Sequence, residues 1–228
     1  MEARVITSKQ EKYNNLVMLR KSCIACKELS NPSRVENGLY DSQEIGPLTK
    51  WQGNLDSDFM LILQDWGCVD NFIKYKGTDI NSVTNKALKT FLNLIGLSLT
   101  LPLDNVRKNS YIFTNSILCL KKGNDQTPVD KEWYRNCGPR FLKPLIEIVS
   151  PKVVICLGEC AYNAVMTSYG RKPGLFGNAV NSHVPINLDN GIAAFPVYHC
   201  SNQRNRSINK QFDDWYYIAE WIKINIDN

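Results

Sequence analysis

The chain has 228 residues, 43% of them hydrophobic and 21% charged, with a net charge of +5 and a sequence pI near 8.7. That length suits one domain with a substantial core and leaves little room for two. No apolar run approaches the roughly 18 residues of a membrane span, and the polar start "MEARVITSKQEKYNN" has no secretion-signal pattern. The expectation is one cytoplasmic domain over residues 1–228, monomeric and off the membrane. Its basic balance suits a polyanionic partner if the cations cluster on one face.

Residues 8–22, "SKQEKYNNLVMLRKS", read as an amphipathic helix with Leu16, Leu19 and either Val17 or Tyr13 on one side. The helix runs into "CIAC", which sets Cys23 and Cys26 at metal-clamp spacing, and a polar, Gly- and Pro-punctuated stretch follows to about residue 57. "DFMLILQ" (58–64) is a buried strand by its continuous apolar run, and "NKALKTFLNLIGL" (85–97) a helix with Asn85 as N-cap. "NSYIFTNSIL" (109–118) is a second strand, and residues 131–149 are helical with a break near Gly138 and Pro139. "KVVICLG" (152–158) is a third strand, "ECAYNAVMTSY" (159–169) a helix, "IAAFPVYH" (192–199) a fourth strand and "QFDDWYYIAEWIKIN" (211–225) a closing helix. Strand and helix alternate, which predicts an α/β fold: a three-layer α/β/α sandwich with a central, mainly parallel four-stranded sheet. Ligands then bind beyond the carboxyl ends of the strands.

Those ends carry Asp65, Asn115, Gly158 and His199. An acid, an amide and one of only two histidines at one rim form a polar constellation. Each also has a plainer role open to it: a helix cap, a turn residue, a core histidine. Eight cysteines are many for a chain with no export signal, since a reducing compartment disfavours disulfides. Cys68, Cys156, Cys160 and Cys200 lie in or beside apolar stretches, and Cys156 and Cys160 read as small buried residues. Cys23 and Cys26 form one pair, and Cys119 and Cys137 flank a polar stretch to form a second; four thiolates at two places can converge on one cluster.

These residues resemble the uracil-DNA glycosylase superfamily, and within it the iron–sulfur group called family 4. "WQGNLDSDFMLILQDWG" is similar without a gap to that group's "GxGNPDADLMFVGEAPG", sharing Gly53, Asn54, Asp56, Asp58, Met60 and Gly67. "TNSILCLKKGND" resembles "TNVVKCRPPGNR", "SPKVVICLGECAYNAV" resembles "xPKVIVxLGxxAxxxL", and "YHCSNQRNR" resembles "YHPSALLR" with Cys200 in place of proline. The resemblance implies a [4Fe–4S] cluster on Cys23, Cys26, Cys119 and Cys137. One motif departs: Gln64-Asp65-Trp66-Gly67 replaces Glu-Ala-Pro-Gly and resembles instead the "GQDPYH" of the family 1 enzymes. There the aspartate supports water attack, and a tyrosine two positions on crowds the pyrimidine 5-position. Gly67 stands at that place, implying an open 5-position, while Trp66 adds bulk beside it.

The implied activity is that of a monofunctional DNA glycosylase, which hydrolyses the base–sugar bond of a flipped pyrimidine and leaves an abasic site. Ionised Asp65 would stabilise positive charge on the sugar and orient or deprotonate water. His199 would donate to the pyrimidine 2-carbonyl, and Asn115 would read the base edge. Gln64, Trp66 and Gly67 would line the pocket, with Phe72 or Tyr75 stacking on the base. After His199, polar residues replace the family's apolar wedge; Ser201, Gln203, Arg204 and Arg206 would contact DNA, and Lys121 and Lys122 would extend a basic rim. The substrate expectation is uracil or a 5-modified pyrimidine such as hydroxymethylated or glucosylated cytosine of phage DNA, leaning to the modified base, in repair or in antiviral defence. Two other classes compete: a nucleic-acid-binding module without turnover, and an iron–sulfur nuclease, for whose Asp and Glu-x-Lys set the strands offer no residues.

Overall fold

A computed structural model describes residues 8–47, 53–76, 83–99, 111–200 and 206–226. Helix α1 (Lys9–Ser22) is capped by Ser8, whose hydroxyl accepts the Glu11 N–H at 3.1 Å. Tyr13, Leu16, Val17 and Arg20 recur at three- and four-residue intervals and form its buried face. Leu19, expected on that face, is exposed, and Arg20 is buried instead. Burial of this guanidinium is compensated: it donates to Asp41 Oδ1 at 2.8 Å and to the Glu44 carbonyl at 2.7 Å.

The chain continues through β1 (Leu29–Ser30), β2 (Phe59–Leu63), α2 (Val69–Lys74), α3 (Val83–Leu94), β3 (Tyr111–Asn115) and β4 (Leu120–Lys121). Then come α4 (Lys131–Cys137), α5 (Lys143–Val149), β5 (Val153–Leu157), α6 (Glu159–Ser168), α7 (Phe176–Asn181), β6 (Ile186–Asn187), β7 (Ala193–Val197) and α8 (Ile208–Asn225). The break expected near Gly138 is a π-helical turn, Gly138–Leu142, between α4 and α5. Asn85 lies inside α3, which starts at Val83, so it is not the N-cap the sequence pattern indicated.

The main sheet has the order β3-β2-β5-β7-β6, with β3, β2, β5 and β7 mutually parallel and β6 antiparallel at the edge. It therefore holds five strands rather than four. The added strand has two residues, too short for a hydrophobic run to betray it. Alternate residues of each strand face opposite layers. Met60, Ile62, Ile112, Val154, Cys156 and Ala194 pack with the side chains of α1, α5 and α6. On the other face Leu61, Leu63, Phe113, Ile155, Leu157 and Val197 meet Leu88, Phe91 and Leu92 of α3 and Trp215, Ile218 and Ile222 of α8. Phe91 and Trp215 stack at 5.4 Å between ring centroids, joining the two helices of that layer. This is the three-layer α/β/α arrangement, and its parallel strands bring their carboxyl ends to one rim.

A second, two-stranded sheet pairs β1 with β4 antiparallel, Leu29 opposite Lys121 and Ser30 opposite Leu120. On its other side β4 touches the turn after β2: the Lys121 N–H donates to the Gly67 carbonyl at 3.0 Å, and Lys121 forms an isolated parallel bridge with Cys68. β4 thus links the loop after "CIAC" to the end of β2. Among the described residues no helix is long and apolar enough to cross a membrane.

Candidate active site

β2 and β3 stay paired one step past their ends. The Gln64 carbonyl accepts the Ile117 N–H at 3.0 Å and the Ser116 hydroxyl at 2.8 Å. Beyond this anchor the chain turns, and Asp65 forms the turn with its own side chain. Its Oδ1 accepts the Gly67 N–H at 2.8 Å, and its Oδ2 accepts the Gln64 side-chain amide at 2.7 Å. Lys121 Nζ lies 3.4 Å from the same Oδ2, an ion pair with both side chains buried. Asp65 is therefore a buried carboxylate with a cationic partner and two donors.

His199 follows β7 by two residues, at the end of the strand beside β5. Gly158 follows β5 at φ +95°, where a Cβ would stand 3.5 Å from the Cβ of His199. Burial pushes the His199 imidazole below its ordinary pKa of 6.5, and the nearby Asp65 charge opposes that shift without reversing it. The ring is accordingly neutral at neutral pH and keeps one N–H with which to donate. Asn115 closes β3 opposite Leu63 and is 3% exposed, yet its Oδ1 is buried without a protein partner among the described residues. An orphaned acceptor is rare in a folded interior and marks a place for a ligand's donor.

Other expected site residues take different roles. The Gln64 amide is spent on Asp65, so it orients the acid. Trp66 turns inward: its ring meets Phe113 edge-on at 5.7 Å and fills the space where Gly46 lacks a Cβ. Phe72 is not the stacking ring, because at 4% exposure it has no free face; it packs with Val35 and Leu120 and meets Tyr40 edge-on. Tyr75, at the end of α2, is 38% exposed, with the Lys74 ammonium 5.0 Å from its ring centre. Arg206, expected to contact DNA, donates to Asp214 Oδ2 at 3.0 Å and Asn181 Oδ1 at 2.7 Å. Ser201, Gln203 and Arg204 lie outside the described residues. Of the two lysines expected on a basic rim, Lys122 is exposed and donates to the Lys27 carbonyl, whereas Lys121 is buried against Asp65.

Gly67 is a glycine for a backbone reason. Its φ is +81°, and a Cβ there would come 2.8 Å from Asp125 Oδ1. That oxygen also accepts the Cys68 N–H at 2.8 Å, and the other carboxylate oxygen accepts from the Asn71 amide. Gly67→Ala should therefore destabilise the protein by about 1–3 kcal/mol, through left-handed strain and the displaced Asp125 bond. A denaturant midpoint unchanged from wild type would contradict this. A tyrosine at residue 67 suffers the same strain, so loss of activity in Gly67→Tyr reports the turn as well as the pocket.

The four paired cysteines meet on the far side of β4. Cys23, Cys26, Cys119 and Cys137 line one cavity of about 490 Å³, with Arg20, Asn31 and Asn136 also on its wall. Burial raises the Cys26 and Cys119 thiols and holds Cys137 at about 12, and the charges of neighbouring cysteines push each of them further up. Asn136 donates its amide to Cys26 Sγ at 3.6 Å. Among the described residues no group of three or more His, Cys, Asp or Glu closes on a single metal ion. Cys156 is buried as expected, Cys160 is only half-buried with its sulfur 3.7 Å from the Ser116 hydroxyl, and Cys68 and Cys200 are buried as well.

A mainly parallel sheet that gathers an acid, an amide and an imidazole at its carboxyl rim defines an α/β protein with a polar ligand site at the strand ends. The chain belongs to the uracil DNA glycosylase superfamily, whose description matches residues 75–222. Asn115, Gly158 and His199 fall within the matched segment, and Asp65 precedes it. Members of this superfamily are DNA glycosylases, hydrolases that act in base excision, so DNA is the partner that membership implies. No curated protein matches the chain.

Proposed function

We propose that the chain is a monofunctional DNA glycosylase of the family 4 type with a divergent motif at Gln64–Gly67. It would hydrolyse the N-glycosidic bond of a flipped pyrimidine and leave an abasic site. One observation carries the reading: Asp65, Asn115 and His199, far apart in sequence, end or follow three mutually parallel strands of one sheet at the same rim. Water supplies the oxygen that ends on C1′. The C1′–N bond breaks with its electron pair going to the base, and the water proton passes to solvent or to Asp65. Asp65 offsets the positive charge that develops on the sugar. Neutral His199 donates to the 2-carbonyl as the base gains charge, and Asn115 meets the base edge.

Four cysteines around one cavity support a [4Fe–4S] cluster as resident group, held by Cys23, Cys26, Cys119 and Cys137. Buried thiols that repel one another once ionised suit a cationic iron core, which would remove both penalties. Such a cluster would join the end of α1 to β4 and α4, a structural duty that places no electron transfer on the reaction path.

For the substrate we favour a 5-modified pyrimidine, a hydroxymethylated or glucosylated cytosine, over uracil. The resemblance sets residue 67 beside the 5-position, and residue 67 has no side chain to crowd a substituent there. Phage DNA is a source of such bases, so the reading extends to antiviral defence. Oligonucleotides carrying uracil, hydroxymethylcytosine or glucosylated hydroxymethylcytosine, tested for alkali-labile abasic sites, decide the matter. Cleavage is expected at a modified base in preference to uracil. Release of uracil alone rejects the substrate, and release of no base with DNA still bound turns the chain into a binding module.

A further inference from the structure

Lys121 is buried to 2% exposure at the end of β4, in a segment whose next residue, Lys122, is exposed. Burying an ammonium costs several kcal/mol unless its donors are satisfied. Here they are. Nζ donates to the Asp125 carbonyl at 2.5 Å and to the Thr127 carbonyl at 3.3 Å, and it faces Asp65 Oδ2 at 3.4 Å. An ammonium has three N–H donors, and three acceptors stand around this one. Its backbone is held as well, by Leu29 across the small sheet and by the bond from the Lys121 N–H to the Gly67 carbonyl. Lys121 therefore grips the turn after β2 twice, once at the main chain of Gly67 and once at the carboxylate of Asp65.

We infer that Lys121 is the positioning residue of the active site, fixing the Asp65 carboxylate in the orientation from which it acts on sugar and water. The inference rests on the assignment of Asp65 as the acting acid. Two groups now hold Oδ2, Lys121 and the Gln64 amide, while the Gly67 N–H holds Oδ1. Of these only Lys121 comes from a separate part of the chain and carries charge. A buried lysine near a sugar site has another use, as a nucleophile on C1′ of the abasic product. The contacts speak against it: Nζ already donates to the Asp125 and Thr127 carbonyls and pairs with Asp65 Oδ2, and attack on a carbon would have to break them.

The test is a double-mutant cycle on single-turnover base release, using Lys121→Met, Asp65→Asn and the pair. Lys121→Met is expected to slow release about 10–100-fold, the cost of a misplaced reacting group, with the Kd for DNA within about twofold of wild type. A residue that acts through Asp65 adds nothing once Asp65 is gone, so the double variant should be no slower than Asp65→Asn alone. Multiplicative losses, or a loss confined to DNA affinity, overturn the inference while leaving Asp65 in place. Full activity in Asp65→Asn defeats instead the assignment on which it rests. Borohydride reduction with abasic product should trap no protein–DNA adduct in wild type; an adduct lost in Lys121→Met would make Lys121 a nucleophile and overturn the positioning role. Should Lys121→Met fail to fold, Lys121→Arg, which keeps the charge but changes the reach, runs through the same cycle.

Discussion

Asp65→Asn is expected to lower base release about 10³-fold or more with DNA affinity nearly unchanged, and His199→Ala about 10²–10³-fold. In the proposed mechanism both side chains meet charge that exists only in the transition state, so their loss should fall on rate rather than binding. The amide introduced by Asp65→Asn would keep one acceptor for the Gly67 N–H, which preserves the turn while removing the charge. It also leaves the buried Lys121 ammonium without its anion, so thermal melting must accompany the kinetics to separate misfolding from lost chemistry. Normal release by both variants would mean that the rim is not the reacting centre. His199 adds a pH dependence. Its folded pKa lies below 6.5, so the unfolded chain binds the extra proton first; stability is complete above about 6.5 and falls as pH drops beneath it. His199→Ala should flatten that part of the stability profile, as read by melts between neutral pH and about pH 5.

Cys137→Ser should yield colourless protein that is far less stable than wild type, and often insoluble. Wild type, purified with minimal exposure to air, should be brown with iron and sulfide in nearly equal amounts. A group bound only by the folded state contributes its binding free energy to folding. Losing one of the four proposed ligands should therefore cost stability more than chemistry. Cys156→Ser is the control: its sulfur is buried in β5 away from the cavity, and a hydroxyl there costs about 1–3 kcal/mol while colour and iron persist. Iron-free wild type that folds and releases base would remove the cluster from the protein's description.

The strands were readable because parallel strands covered on both faces are continuous apolar runs, and Val153–Leu157 or Phe59–Leu63 admit few other interpretations. From those runs the rim followed, and Asp65, Asn115 and His199 with it. Direction was harder to read than position. Trp66 and Phe72 follow the acid closely in sequence, yet both rings turn into hydrophobic clusters. No periodicity marks a helix of six residues or a strand of two, so α2, α7, β1, β4 and β6 left no trace. Lys121 was hidden for the same reason. Next to Lys122 it has the look of a solvated pair, and only the pairing of β4 with β1 and with the Gly67 turn buries it. The fixed Arg206 was equally illegible, since its partner Asp214 lies on α8 and nothing local announces the bond.

The strand order has a consequence for the growing chain on the ribosome. Asp65 and Asn115 are synthesised well before His199, and β7, which leads to His199, can join the sheet only by pairing with β5. Until then α3 has no α8 to cover Phe91, because Trp215 has not been made. A nascent or prematurely ended product stopping before residue 193 thus holds Asp65 and Asn115 without His199, and it presents an uncovered apolar helix. Such a product would be inert toward DNA bases but prone to aggregation or capture by chaperones. Competence to open a base–sugar bond therefore arrives late in translation, together with the last contacts that cover the sheet's apolar layer.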